Sequence, residues 1–272
     1  MTDRFHVVVT TPQPPTRGVI EHVAGVTGLP AYDARLKLRS FAPRSIAFRQ
    51  NAAEALDLAE RLTFPDLRRV VFCERDLPPV APFAAFRMGR IAQGFVFEDK
   101  RGNRRTLRHT EVALVVIGRK TTQQTATSIE YSACNYEPGP RGSRSPVTVS
   151  QVRRRSKRHA RLVTFFPADD SVAPIRIVTD VFDFSCLGRH RGHSDHENSL
   201  KLAEMIDAAI EGLDADRRLL ETSIEATTIP HNHRTFADDE HAASCLVYWD
   251  RLAVQAPNGL INRTSPLPRT AP

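Results

Sequence analysis

Long apolar runs are missing from this sequence. None approaches the ~20 consecutive apolar residues that a membrane-spanning helix needs, and the longest, such as Val112 to Ile117, are the size of strands. No transmembrane segment is therefore predicted. The first nine residues hold one arginine, Arg4, and lack the charged, apolar and cleavage regions of a secretory signal. That predicts a cytoplasmic protein. Cysteine is scarce: Cys73, Cys134, Cys186 and Cys245 lie far apart, and none forms a C-x-x-C pair. This spacing argues against a disulfide framework or a cysteine-held zinc site, and for reduced thiols in a core. No phosphate-binding P-loop, G-x-G-x-x-G or G-x-S-x-G sequence occurs. Nucleotide cradles, dinucleotide cofactors and elbow-type serine nucleophiles have no support, and no cofactor is expected on this ground.

What is present is ordinary globular material. Of 272 residues, 41% are apolar and 25% charged, enough for about two domains. The net charge of +7 is unevenly spread. Eight of the 38 basic residues fall between Arg141 and Arg161, where there is no Asp or Glu, and the remaining 30 face 31 acidic residues. Outside that stretch the chain is close to neutral.

Residues 1–77 read as a small α/β domain in the order β-α-α-β-α-β. His6 to Thr10 is a β-branched run. Val19, Ile20, Val23 and Val26 recur at helical spacing, and Gly28 stands where a helix would end. Ala31 to Leu38 predicts a second helix, and Ser45 to Phe48 a strand. Asn51 with Glu54 caps a third helix, lined by Ala52, Ala55, Ala59 and Leu62, and Arg69 to Cys73 closes the domain. Val19-Ile20, Val23, Val26-Thr27-Gly28-Leu29, Ala34-Arg35, Pro43, Ala55, Ala59 and Leu62 resemble the pattern of the C-terminal domain of the ribosomal stalk protein, over about a quarter of the chain. The resemblance implies a protein-docking module. In that family, basic residues on the first two helices contact translation factors. Here Glu21 and Ala24 replace two such positions and Arg35 keeps its charge. Arg35 is therefore the docking residue that the resemblance implies, and the departures point to a repurposed docking fold.

Pro78, Pro79 and Pro82 suit a spacer. Residues 78–256 read as a mostly antiparallel sheet domain closed by helices, giving an α+β chain. Strands are expected over Arg90–Glu98, Arg104–His109, Val112–Ile117, Thr121–Ala133, Leu162–Phe166, Ile175–Thr179 and Val181–Phe184. One helix starts at the Ser194/Glu197 capping box and presents Leu202, Ile206, Ala209 and Leu213. Another, capped by Thr235 and Asp238, presents Ala242, Cys245, Leu246, Trp249 and Leu252. The outline resembles a pleckstrin-homology-type sheet closed by a helix. Residues 138–160, rich in Pro, Gly, Ser and Arg, are expected to form a basic flexible loop, and 257–272 a disordered tail.

Two clusters carry candidate chemistry. His190 and His193, with His231 and His233, are potential ligands for zinc or another divalent metal. A metal-dependent hydrolase or nuclease is one alternative built on them. Against it, Ser194 and Glu197 are already explained as a cap, and Leu200 stands where H-E-x-x-H would need its second histidine. Arg153, Arg154, Arg155, Lys157, Arg158 and Arg161 are candidates for neutralising phosphates. The second alternative is therefore nonspecific binding of nucleic acid or another polyanion. The stretch has no interleaved aromatics to stack on bases, so base reading is not expected. Asp180 and Asp183, three apart, do not share a strand face and make a poor acid–base pair. The leading expectation is a non-enzymatic interaction or adaptor protein with an unidentified protein partner.

Overall fold

The computed structural model describes residues 4–39, 41–73, 81–133, 147–169, 171–209, 215–221 and 239–255. The expected domain boundary near residue 78 and the expected tail fall outside them. The chain divides into two compact units, 1–120 with 161–272, and 121–160. It is an α+β protein with antiparallel sheets.

The first elements of the larger unit are β1 (Phe5–Thr10), α1 (Arg17–Thr27), α2 (Ala31–Leu38), β2 (Arg44–Arg49), α3 (Ala52–Arg61) and β3 (Arg68–Cys73). Local chemistry sets their ends. The Thr16 hydroxyl accepts from the Val19 amide at the start of α1. Gly28 ends that helix at φ 72°, a left-handed turn that glycine adopts without a Cβ clash. Asn51 caps α3 by accepting from the Ala53 amide at 2.8 Å. The strands form an antiparallel sheet in the order β2-β1-β3. β1 is buried on both faces, so it reads as a near-continuous apolar run. Val7, Val9 and Val71 pack under the three helices with Val19, Val23, Leu58 and Leu62. Val8, Val70 and Phe72, one residue out of step, belong to a different buried cluster.

That second cluster is built on α6 (Asp239–Gln255). Every residue from His241 to Asp250 is buried, as for a helix with packing on all sides. Trp249, Leu246 and Ala243 meet Val8, Val70 and Phe72, and also Leu114, Val116, Leu162 and Phe166. The last four lie on β8 (Val112–Ala133) and β9 (Val147–Pro167), neighbours in a sheet of order β11-β8-β9-β10-β4. Here β4 is Phe83–Ala85, β10 Ile175–Val178 and β11 Ala215–Asp216.

The opposite face of this sheet holds Val115, Ile117, Val163 and Phe165. They pack with Phe95 and Phe97 from the meander β5 (Arg87–Ile91), β6 (Gly94–Glu98) and β7 (Arg104–Arg108), and with Leu202 and Ile206 of α4 (Asp195–Ala209). Gly94 is required in that meander, because a Cβ there would overlap the Leu107 carbonyl oxygen on β7.

Several expectations change. The single strand expected over Arg90–Glu98 is two, joined by a turn at Ala92-Gln93 that ends in Gly94. Val181–Phe184 is not a strand: a 3-10 segment runs from Phe184 to His190, capped by the Asp183 carboxylate on the Ser185 amide at 3.0 Å. Asp183 also accepts from Arg87 at 2.7 Å, which assigns it an ion pair and a cap. Residues 147–160, expected within a flexible loop, belong to strand β9, and Thr121–Ala133 continues β8. The physical reason is partnership. A polar, basic segment has no apolar periodicity to announce a strand, but hydrogen bonding to a neighbouring strand satisfies its backbone groups. The rest of the expected loop, 138–146, lies outside the described residues.

Candidate functional site: an arginine-lined cleft on a buried carboxylate pair

The densest polar arrangement among the described residues involves side chains that carried no signal in the sequence. In the antiparallel register Thr10, at the end of β1, sits opposite Arg68, at the start of β3. β11 pairs in parallel with Val115–Val116 of β8 and brings in Asp216. The four-residue helix α5 (Arg218–Glu221) follows at once, anchored by fully buried Leu219. α6 supplies Asp250 and Arg251.

Asp216 and Asp250 are both buried, with side chains 1% exposed. Arg218 lies between them. Its Nε and Nη2 fork onto Asp216 at 2.8–3.1 Å, and its Nη1 donates to Asp250 Oδ2 at 2.5 Å. The other Asp250 oxygen accepts from the Thr10 hydroxyl at 2.8 Å. Asp216 also accepts from the Arg218 amide at 3.1 Å and from Arg251 Nε at 2.9 Å. Burial pushes the Asp216 carboxyl up, but the hydrogen bonds and charge of Arg218, with Arg251, outweigh it and hold the group below the ordinary aspartate range. Burial likewise works against the Arg218 charge, and the two carboxylates reverse that and raise its pKa. A cavity of about 500 Å³ opens beside this network, lined by Arg68, Arg217, Arg218 and Arg251, with Phe41 and Pro12 as apolar wall.

The residues singled out in the sequence lie elsewhere. His190 ends the 3-10 segment and His193 precedes α4; both are exposed. His231 and His233 lie outside the described residues. Among the described residues no three His, Cys, Asp or Glu side chains converge as metal ligands would. The α4 entry is a cap: Ser194 Oγ accepts from the Glu197 amide at 3.1 Å, and Glu197 accepts from the His193 amide at 3.0 Å. Lys201 holds the same carboxylate at 2.7 Å.

Arg153, Arg154, Arg155, Lys157 and Arg158 lie on β9 within the 121–160 unit, whereas Arg161 belongs to the larger unit. Its amide donates to Thr179 Oγ1 at 2.8 Å, and its guanidinium is disfavoured by burial and by the charge of Arg217. Arg35 is exposed on α2, beside exposed Tyr32 and Leu36. Comparison with protein-family models, with curated proteins and with solved structures returns no match. No helix among the described residues is long and apolar enough to cross a membrane.

Proposed function

We propose that the protein binds a polyanion, double-stranded nucleic acid foremost, through the β8–β9 pair of the 121–160 unit. The observation that supports this reading is that the basic run, broken only by Ser156, lies on a strand rather than in a loop. Arg153, Arg154, Arg155, Lys157 and Arg158 then have fixed spacing along an extended backbone, with no acidic residue between Arg141 and Arg161. The neighbouring stretch of β8 is rich in Thr, Gln and Ser, residue types that donate to phosphate oxygens. A two-stranded ribbon also matches the width of the duplex major groove. Binding would be by charge and shape, without base reading. A cytoplasmic setting fits Cys73, Cys186 and Cys245 standing as thiols rather than in a disulfide.

Changing Arg153, Arg154, Arg155, Lys157 and Arg158 together to Gln is expected to abolish retention on heparin and duplex DNA with the melting curve unchanged. On DNA, the slope of log affinity against log salt should fall by about 4, since each phosphate contact contributes roughly 0.9. Unchanged retention and slope would sink the reading.

Protein docking by the first 77 residues is a second reading, favoured by α2. There Tyr32 is 70% and Leu36 41% exposed, one helical turn apart and flanking Arg35. The ribosomal-stalk-like pattern supports the same role. If α2 docks a protein, Tyr32→Ser with Leu36→Ser removes specific partners from an affinity capture while circular dichroism stays the same. Identical partner sets from both proteins would count against docking at α2. No geometry among the described residues favours the metal-dependent alternative, two of whose histidines, His231 and His233, lie outside them.

A further inference from the structure

We propose that the arginine-lined cleft is a binding site for a small phosphate ester with an apolar or aromatic body of about mononucleotide size. The described residues that line it all belong to the larger unit.

The donor inventory makes the case. Arg218 has Nε, Nη1 and Nη2 all committed to Asp216 and Asp250, and it serves as the fixed floor. Among the described residues Arg251 commits only Nε, to Asp216, which leaves both of its Nη groups available. Arg217 is tethered among them to Asp207 through Nη2 alone. Arg68, on the cleft wall, has no carboxylate partner among the described residues. Four guanidinium groups therefore surround one cavity with three carboxylates to balance them. Arg161, with no carboxylate partner among the described residues, feels the charge of Arg217. Among the described residues these five guanidinium groups outnumber the three carboxylates bonded to them by two, a balance that suits a phosphate monoester dianion.

Geometry favours phosphate as well. Planar guanidinium groups bind tetrahedral oxyanions through paired N–H donors. Three of these arginines, Arg217, Arg218 and Arg251, are already held by carboxylates, so less side-chain entropy is lost when a ligand arrives. The cavity volume of about 500 Å³ lies within the range of small-molecule sites and exceeds what inorganic phosphate fills. Phe41 and Pro12 offer the remaining space an apolar surface. The two buried carboxylates are engaged by Arg218, Arg251 and Thr10, so they organise the site.

The test is calorimetric titration of the full chain with adenosine monophosphate and with inorganic phosphate. The nucleotide should bind saturably with Kd below about 1 mM, and inorganic phosphate at least about tenfold more weakly. Arg68→Ala removes an exposed side chain that bonds none of the described residues, and should weaken both ligands by about tenfold or more. Phe41→Ala should erase the preference for the nucleotide and leave phosphate affinity alone. Arg101→Ala, on a distant exposed turn, should change nothing. The five-residue β9 variant should keep full affinity, which separates this site from the ribbon. The proposal is overturned if neither ligand binds saturably, if Arg68→Ala binds like the parent, or if affinity disappears with the β9 charges.

Discussion

Asp250→Ala should cost the protein about 3–5 kcal/mol, the penalty for removing one partner of a buried ion pair. The magnitude follows from what is stranded. Arg218 would keep Asp216 but lose the 2.5 Å contact of its Nη1, and the buried Thr10 hydroxyl would lose its acceptor. Each group gave up water on folding and would have nothing in return. The Asp250 side chain is itself only 1% exposed. Asp250→Asn keeps an acceptor for Thr10 and loses the charge, so its loss should be about half as large. Urea unfolding at neutral pH measures both, and a midpoint for Asp250→Ala within error of the parent would refute this account of the network.

The partner carboxylate fixes the response to acid. Asp216 has a folded-state pKa below its unfolded value of about 3.9. A group of this kind contributes stability that is complete above the unfolded value and is lost as pH falls through the folded one. The stability gap between the parent and Asp216→Asn should therefore be constant near neutrality and narrow below about pH 4. A gap that widened in acid would reverse the sign of the argument.

Phe165→Ala should be similarly severe, at about 3–5 kcal/mol. Phe165 is fully buried on β9, with its ring 5.1 Å from that of Phe97 and 5.7 Å from that of Phe95. It joins the five-stranded sheet to the meander, and the backbone on both sides is held in ladders, with Phe165 paired to Ile175. The cavity cannot collapse without breaking register, so the transfer loss and the void both count. For a unit of this size the melting temperature should drop by on the order of 10 °C. A loss under about 1 kcal/mol would mean that the meander packs far more loosely than these contacts imply.

How far the sequence revealed this molecule depended on whether the deciding interaction was local. Gly28, Asn51 and Ser194 act on backbone amides within a few residues of themselves, and the helix ends they mark are where composition placed them. The element order of the first 77 residues was legible for the same reason. β9 was not, because what makes residues 147–160 a strand is a neighbour from an earlier part of the chain, and Arg, Ser and Lys carry no period that betrays it. The 3-10 segment after Asp183 was missed because its apolar residues, Phe182 and Phe184, alternate as a strand would while Asp183 caps a turn. The cleft was least accessible. Asp216, Arg218 and Asp250 are unremarkable one at a time, and their meaning lies in convergence. Even the doublets Asp250-Arg251 and Arg217-Arg218 would not have separated this site from the many other Arg-rich stretches of the chain.

The hydrogen bond from Thr10 to Asp250 joins residues 240 positions apart. During synthesis the amino-terminal strand leaves the ribosome long before its partner on the last helix exists. At about 5–20 residues per second, the wait is roughly 10 to 50 s. Throughout it, one face of the first sheet, with Val8, Val70 and Phe72, has no cover, although the helices on the other face are already complete. The first quarter of the chain thus matures in two instalments, and the second is triggered only by the emergence of the last helix. A nascent chain truncated before residue 239 would present that sticky face for good, which makes α6 an intramolecular check that translation has passed residue 255.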